Sequence, residues 1–137
     1  MPKVADSSRI HNRKINMRSA EHEKINYVEF PAKDLAASKA FFSQAFNWQF
    51  TDYGPEYSAF SAESAGLDGG FYRADLTAST YSGSALLVLF SNNLEQTQKT
   101  IETAGGSIVK AIFPFPGGRR FHFTDPSGNE FAVWSNS

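Results

Sequence analysis

The chain contains no cysteine, which removes disulfides, thiolate nucleophiles and cysteine-ligated zinc together. It also lacks an excess of positive charge: 13 Lys and Arg stand against 14 Asp and Glu, a net charge of −1. No bulk field exists to hold a phosphate backbone, so a nucleic-acid partner is disfavoured. The longest uninterrupted apolar run, Ala85–Phe90, falls far short of the ~20 residues of a membrane span. The first residues show no apolar core of the secretory type. These absences predict a soluble, cytoplasmic protein that makes no membrane contact. Histidine is scarce as well, with His122 standing alone outside the N-terminal stretch that holds His11 and His22.

What the chain does have is aromatic mass. Its 137 residues suit one domain with a real core, and 13 Phe, 5 Tyr and 2 Trp are available to fill it. Residues 1–24 differ from the rest: Lys3, Arg9, Arg13, Lys14, Arg18 and Lys24 outnumber Asp6, Glu21 and Glu23, and no hydrophobic period is sustained. This stretch reads as a basic N-terminal arm outside the core.

From Ile25 the pattern alternates, with Ile25, Tyr27 and Glu29 on one face of a strand and Asn26, Val28 and Phe30 on the other. Pro31 is expected to stop it. Asp34 is a good N-cap for a helix over Leu35–Phe46. Trp48–Tyr53 and Glu56–Ala62 read as a hairpin around Gly54-Pro55, and Leu67–Tyr72 as a further strand. The same order then returns: a strand over Ser84–Phe90, a helix over Leu94–Ala104 capped by Asn93 and ended by Gly105-Gly106, and strands at Ile108–Phe113, Arg120–Thr124 and Glu130–Trp134. Pro114–Gly118 is expected to be loop, and Asp125–Asn129 a turn. Two β-α-β-β-β modules, about 25–73 and 84–135, predict an α+β fold with helices outside and the free sheet faces forming a cup for a ligand.

The run Tyr27–Leu35, the pairs Phe41-Phe42 and Ala45-Phe46-Asn47-Trp48, Ala104-Gly105-Gly106 and above all Asp125-Pro126-Ser127-Gly128-Asn129 resemble the vicinal oxygen chelate superfamily over about residues 25–135. That superfamily includes glyoxalase I, extradiol dioxygenases and the fosfomycin and bleomycin resistance proteins. The resemblance implies a homodimer and, in metal-dependent members, ligands on the first and last strands of each module. The positions that match here are Tyr27, Leu86 and Ala132, none of them an ordinary ligand. A divalent metal could then sit only at a shifted site built from Glu29, His122 and Glu130.

Alternation places Glu29 beside Tyr27, Val88 and Phe90 beside Leu86, and Glu130 and Trp134 beside Ala132 on the ligand-facing side. By the resemblance, His122 faces the ligand, with Arg120 sharing its face. Glu29 and His122 are the candidate base and acid, and the alternative is that they form a structural polar pair. Tyr27 and Trp134 are candidate aromatic contacts, with Trp48, Phe71 and Tyr72 equally readable as core. Arg120 is a candidate clamp for a carboxylate or phosphate, and Arg119 a solvated charge. Two functions follow from the resemblance. One is a glyoxalase-like lyase or isomerase acting on a small polar organic molecule, and the other a metal-free binding or sequestering protein without turnover. A dimeric interaction domain with a filled cup is the third reading.

Overall fold

Residues 20–137 are described by a computed structural model of the chain, so His11 and the rest of residues 1–19 of the expected arm lie outside the described residues. Asp34 and Asn93 each turn a side-chain oxygen to the backbone N–H three residues on, at Ala37 and Gln96, and so start helices α1 (Leu35–Phe46) and α3 (Leu94–Ala104). Both helices end at a left-handed residue, Asn47 with φ 62° and Gly105 with φ 106°, whose N–H groups take up the last free carbonyls.

Around α1 lie strands β1 (Tyr27–Ala32), β2 (Phe50–Asp52), β3 (Tyr57–Phe60) and β4 (Asp68–Arg73), with a one-turn helix α2 (Ala62–Ala65) before β4. Around α3 lie β5 (Leu87–Phe90), β6 (Ser107–Phe115), β7 (Gly118–Thr124) and β8 (Glu130–Ser135). Each set forms its own four-stranded sheet, in the orders β1-β4-β3-β2 and β5-β8-β7-β6. In both sheets the first strand runs parallel to the last of its module and the remaining pairs are antiparallel. This is the α+β, twice β-α-β-β-β architecture that the sequence predicts.

One aromatic core joins the modules. Phe30 of β1 lies 4.9 Å from Phe131 of β8, Phe42 of α1 reaches Phe71 at 5.3 Å and Phe131 at 5.3 Å, and Phe41 of α1 meets Phe123 of β7 at 6.0 Å. Each such ring withdrawn from water contributes about 1.5–3 kcal/mol. Trp48 and Phe71 belong to this core, at 5% and 0% exposure, which removes both from the candidate aromatic wall. The Asp125–Asn129 turn fastens the second module to the first: the fully buried Asn129 amide donates to Pro31 O at 2.7 Å and accepts from Ala78 N at 2.8 Å, while Lys33 N donates to Ser127 Oγ at 2.9 Å.

Two local expectations need correcting. β1 does not stop at Pro31 but runs to Ala32, and Pro114 lies within β6 rather than in a loop. Both prolines are on edge strands, where a missing N–H need cost no ladder bond. The short helix α2 and a 3-10 turn over Thr80–Ser82 fall where no strong period marks the sequence.

Candidate functional site

Because Phe30, Phe121, Phe123, Phe131 and Val133 all turn inward, alternation sends their strand neighbours to the free faces of the two sheets. On the first sheet the free face carries Tyr27, Glu29 and Tyr57. Tyr57 Oη donates to Glu29 Oε2 at 2.8 Å, and the Tyr27 and Tyr57 hydroxyls share a bond of 2.9 Å. Gly70, directly between Glu29 and Ala59 in the sheet, makes this possible, since a Cβ there would run into the Tyr57 ring. Burial pushes the Tyr57 phenol well above its usual value, with Tyr27 and Glu29 adding to the effect, and burial likewise raises Tyr27.

On the second sheet the free face carries Val88 and Phe90 from β5, Glu130, Ala132 and Trp134 from β8, and Arg120 and His122 from β7. Register fixes this grouping, with Val88 opposite Ala132, Phe90 opposite Trp134, Arg120 opposite Trp134 and His122 opposite Ala132. Leu86 lies one residue before β5.

A continuous hydrogen-bonded chain crosses this face. Glu130 Oε1 accepts from both the backbone N–H and the hydroxyl of Thr80 at 2.8 Å. Its other oxygen, Oε2, lies 2.7 Å from His122 Nδ1, and His122 Nε2 lies 2.9 Å from Arg120 Nη2. A guanidinium can only donate, so Nε2 accepts from Arg120 and Nδ1 donates to the carboxylate. Burial alone would raise the Glu130 carboxyl, but the donors from His122 and Thr80 outweigh it and hold the group below its ordinary value. His122 is therefore oriented at both ring nitrogens, and it is 6% exposed.

Aromatic rings flank the chain. Trp134 meets Phe90 at 5.1 Å and Phe115 at 6.1 Å, both edge-on. The Arg120 guanidinium lies 5.7 Å from the Phe113 ring and 5.9 Å from that of Phe115. Phe90 is 50% and Val88 44% exposed, so an apolar rim stands open beside a polar group of fixed geometry.

The structure thus brings together His122, Glu130, Arg120, Trp134 and Val88, and it does not bring Glu29 to His122 within one chain. The two belong to free faces of different sheets with the shared core between them, and each has another partner, Tyr57 for Glu29 and Glu130 for His122. Arg119 pairs with Glu95 at 2.6 Å instead of standing alone in solvent. Sequence reasoning missed Tyr57, Thr80, Phe113 and Phe115. Tyr57 could have been found from the glycine it needs beneath it, whereas the Thr80 contact leaves no periodic signal.

The model for the Glyoxalase/Bleomycin resistance protein/Dioxygenase superfamily matches residues 24–133. The chain belongs to this superfamily. Among its relatives the anthracycline biosynthesis protein DauV of Streptomyces sp. (strain C5) is 30% identical over 124 residues, covering 79% of this chain and 45% of that protein. The chain thus spans about half the length of this curated relative. A glyoxalase-related enzyme from Fulvimarina pelagi has the same fold, with TM-score 0.69, 17% identity, and coverage of 83% of this chain and 88% of that one. So does an antibiotic-binding protein from Streptomyces sp. CB03234, at TM-score 0.62 and 17% identity, over 87% of this chain and 100% of that one.

Metal-dependent members of the glyoxalase superfamily need several converging donors. The positions expected from the resemblance, Tyr27, Leu86 and Ala132, carry no ordinary ligand, and among the described residues no group of three His, Asp or Glu side chains comes together. Glu130 and His122 meet, but Glu29 is on the other sheet, and the exposed His22 lies beside Glu23 at 3.4 Å. The described residues of one chain do not fit a divalent centre at either the usual or the shifted place.

Proposed function

We propose that this glyoxalase-superfamily protein binds a small organic molecule on the free face of its second sheet without a resident metal. The observation that supports this most strongly is the exposed Phe90 packed with the half-buried Trp134 and Phe115 beside the fixed Arg120–His122–Glu130 chain. An apolar wall with a few converging polar groups is the usual make-up of a ligand site. The names of its relatives support the same reading, since one serves anthracycline biosynthesis and another binds an antibiotic.

Closure of the site falls to a second copy. The shared aromatic core lies between the inward faces of the two sheets, and on this reading Tyr27, Tyr57 and Glu29 of a second copy cover the ligand across a homodimer. Strand β5 lies at the edge of its sheet with Val88 and Phe90 exposed, and is available for such an approach. The test is a thermal-shift screen of small organic molecules followed by calorimetry. Trp134→Ala is expected to weaken any hit at least tenfold while melting within a few degrees of wild type; unaltered affinity would remove the second sheet from the site.

A second reading, turnover of lyase or isomerase type, is favoured by the Glu130–His122 pair. A carboxylate that orients Nδ1 leaves Nε2 as the basic atom, and a ligand that draws Arg120 away would expose it. Under this reading His122→Gln abolishes turnover and leaves ligand affinity within a few-fold. Under sequestration alone, His122→Gln changes affinity and wild type shows no product.

A further inference from the structure

The ion pairs of the described residues leave one half-buried cation without a carboxylate. Lys39 is held by Asp52 and Arg119 by Glu95. Arg120 has the imidazole of His122 on one Nη2–H, and its Nε–H is shielded from solvent without a hydrogen-bond partner. The nearby Glu130 is ion-paired with His122 and not with Arg120, and its oxygens already accept from Thr80 and His122. A guanidinium stays charged at any ordinary pH, and shielding it between rings with an unused donor is costly until an anion arrives. Lys110, whose Nζ lies 5.3 Å from the Phe113 ring, adds a second cation to the same neighbourhood.

We infer that the ligand is a planar aromatic acid whose carboxylate docks on Arg120 while its ring lies against Trp134. This deepens the reading above and rests on it. Arg120 and Trp134 are direct cross-strand neighbours, so their side chains rise about 5 Å apart on one face. Neighbours so placed let one compact ligand meet the guanidinium and the indole together. Phe113 and Phe115 keep the guanidinium plane in place, so its fork is presented rather than searched for. His122 then reports on the acid, since the Nη2–H it now accepts is one of the donors a carboxylate would claim.

The experiment is calorimetry of the whole chain at low salt with anthraquinone-2-carboxylate and with its neutral carboxamide. Wild type is expected to bind the acid at least tenfold more tightly. Arg120→Met should equalise the two by lowering affinity for the acid and leaving the amide within a few-fold. Arg120→Lys, which keeps the charge but loses the fork, should retain a smaller preference and serves if the methionine variant does not fold. Equal affinity in wild type, or a preference untouched in both variants, overturns the inference and leaves the ligand site standing. A preference that emerges only in Glu29→Gln overturns it too, because Glu29 of a second copy would then be the anion that Arg120 already holds. If neither compound binds wild type while the thermal-shift screen yields other hits, this inference fails and the ligand site stands; if the screen yields none as well, both fail.

Discussion

Asp125 shows how one buried carboxyl can tie stability to pH. Its Oδ1 accepts the N–H groups of Ser127 and Asn129, and Oδ2 accepts from the Asn129 amide. Burial nevertheless pushes its pKa up to about 6, against the pull of those donors. A group that holds its proton more tightly folded than unfolded stabilises the fold most below its unfolded value near 3.8, and that contribution is lost as pH rises through about 6. The span corresponds to roughly 3 kcal/mol. Glu130 and Asp52, both lowered, act in the opposite direction as pH falls. The contribution of Asp125 is therefore isolated by difference: in urea titrations, wild type minus Asp125→Asn is expected to grow more favourable from pH 7 to pH 4. A difference that stays flat across that range contradicts the assignment.

At the scale of elements, the Asp125–Asn129 turn and the segment between the modules do the joining. Asn129→Ala would leave Pro31 O and Ala78 N buried without their partner, at a cost on the order of 3 kcal/mol. Chemical unfolding should show a loss of that size in a single transition, and a loss below 1 kcal/mol would mean that the modules are held together by the aromatic core alone. Thr80 belongs to the same segment and is expected to act as a positioning residue. Thr80→Val keeps the backbone donor to Glu130 but deletes the hydroxyl one, for about 1 kcal/mol. Its signature is a change in the His122 ring 15N shifts, and an unchanged His122 spectrum would show that the linker does not reach the imidazole. Helices α1 and α3 were legible to the residue because their caps are local chemistry, Asp34 and Asn93 at one end, Asn47 and Gly105 at the other. The strands were legible in order but not in length. A proline reads as a stop in sequence, and whether Pro31 and Pro114 lie on edge strands is decided by neighbours far along the chain.

For the whole molecule, the decisive quantity is the direction in which the two free faces point. Alternation correctly grouped Arg120 with His122 and Glu130 with Trp134, because which residues share a face is a property of single strands. It could not pair Glu29 with the right partner, since which side of the core each sheet presents depends on α1 packing against Phe71 and Phe131 together. Phe90 and Val88 are exposed to water in a lone chain, a cost that association would offset at about 25 cal/mol per Å² covered. On the proposed reading a homodimer is expected: light scattering should give twice 15.1 kDa. Phe90→Glu places a charge on β5 where the second copy's sheet would lie, and it is expected to give a monomer with an unchanged circular dichroism spectrum, because Phe90 is 50% exposed and contributes little to the core. The same variant should lose ligand binding even though Arg120, His122 and Glu130 are intact, for the site would have lost both a rim residue and its cover. A Phe90→Glu protein that remains dimeric would show that β5 is not at the contact, and a monomer that binds as well as wild type would show that the second sheet works alone.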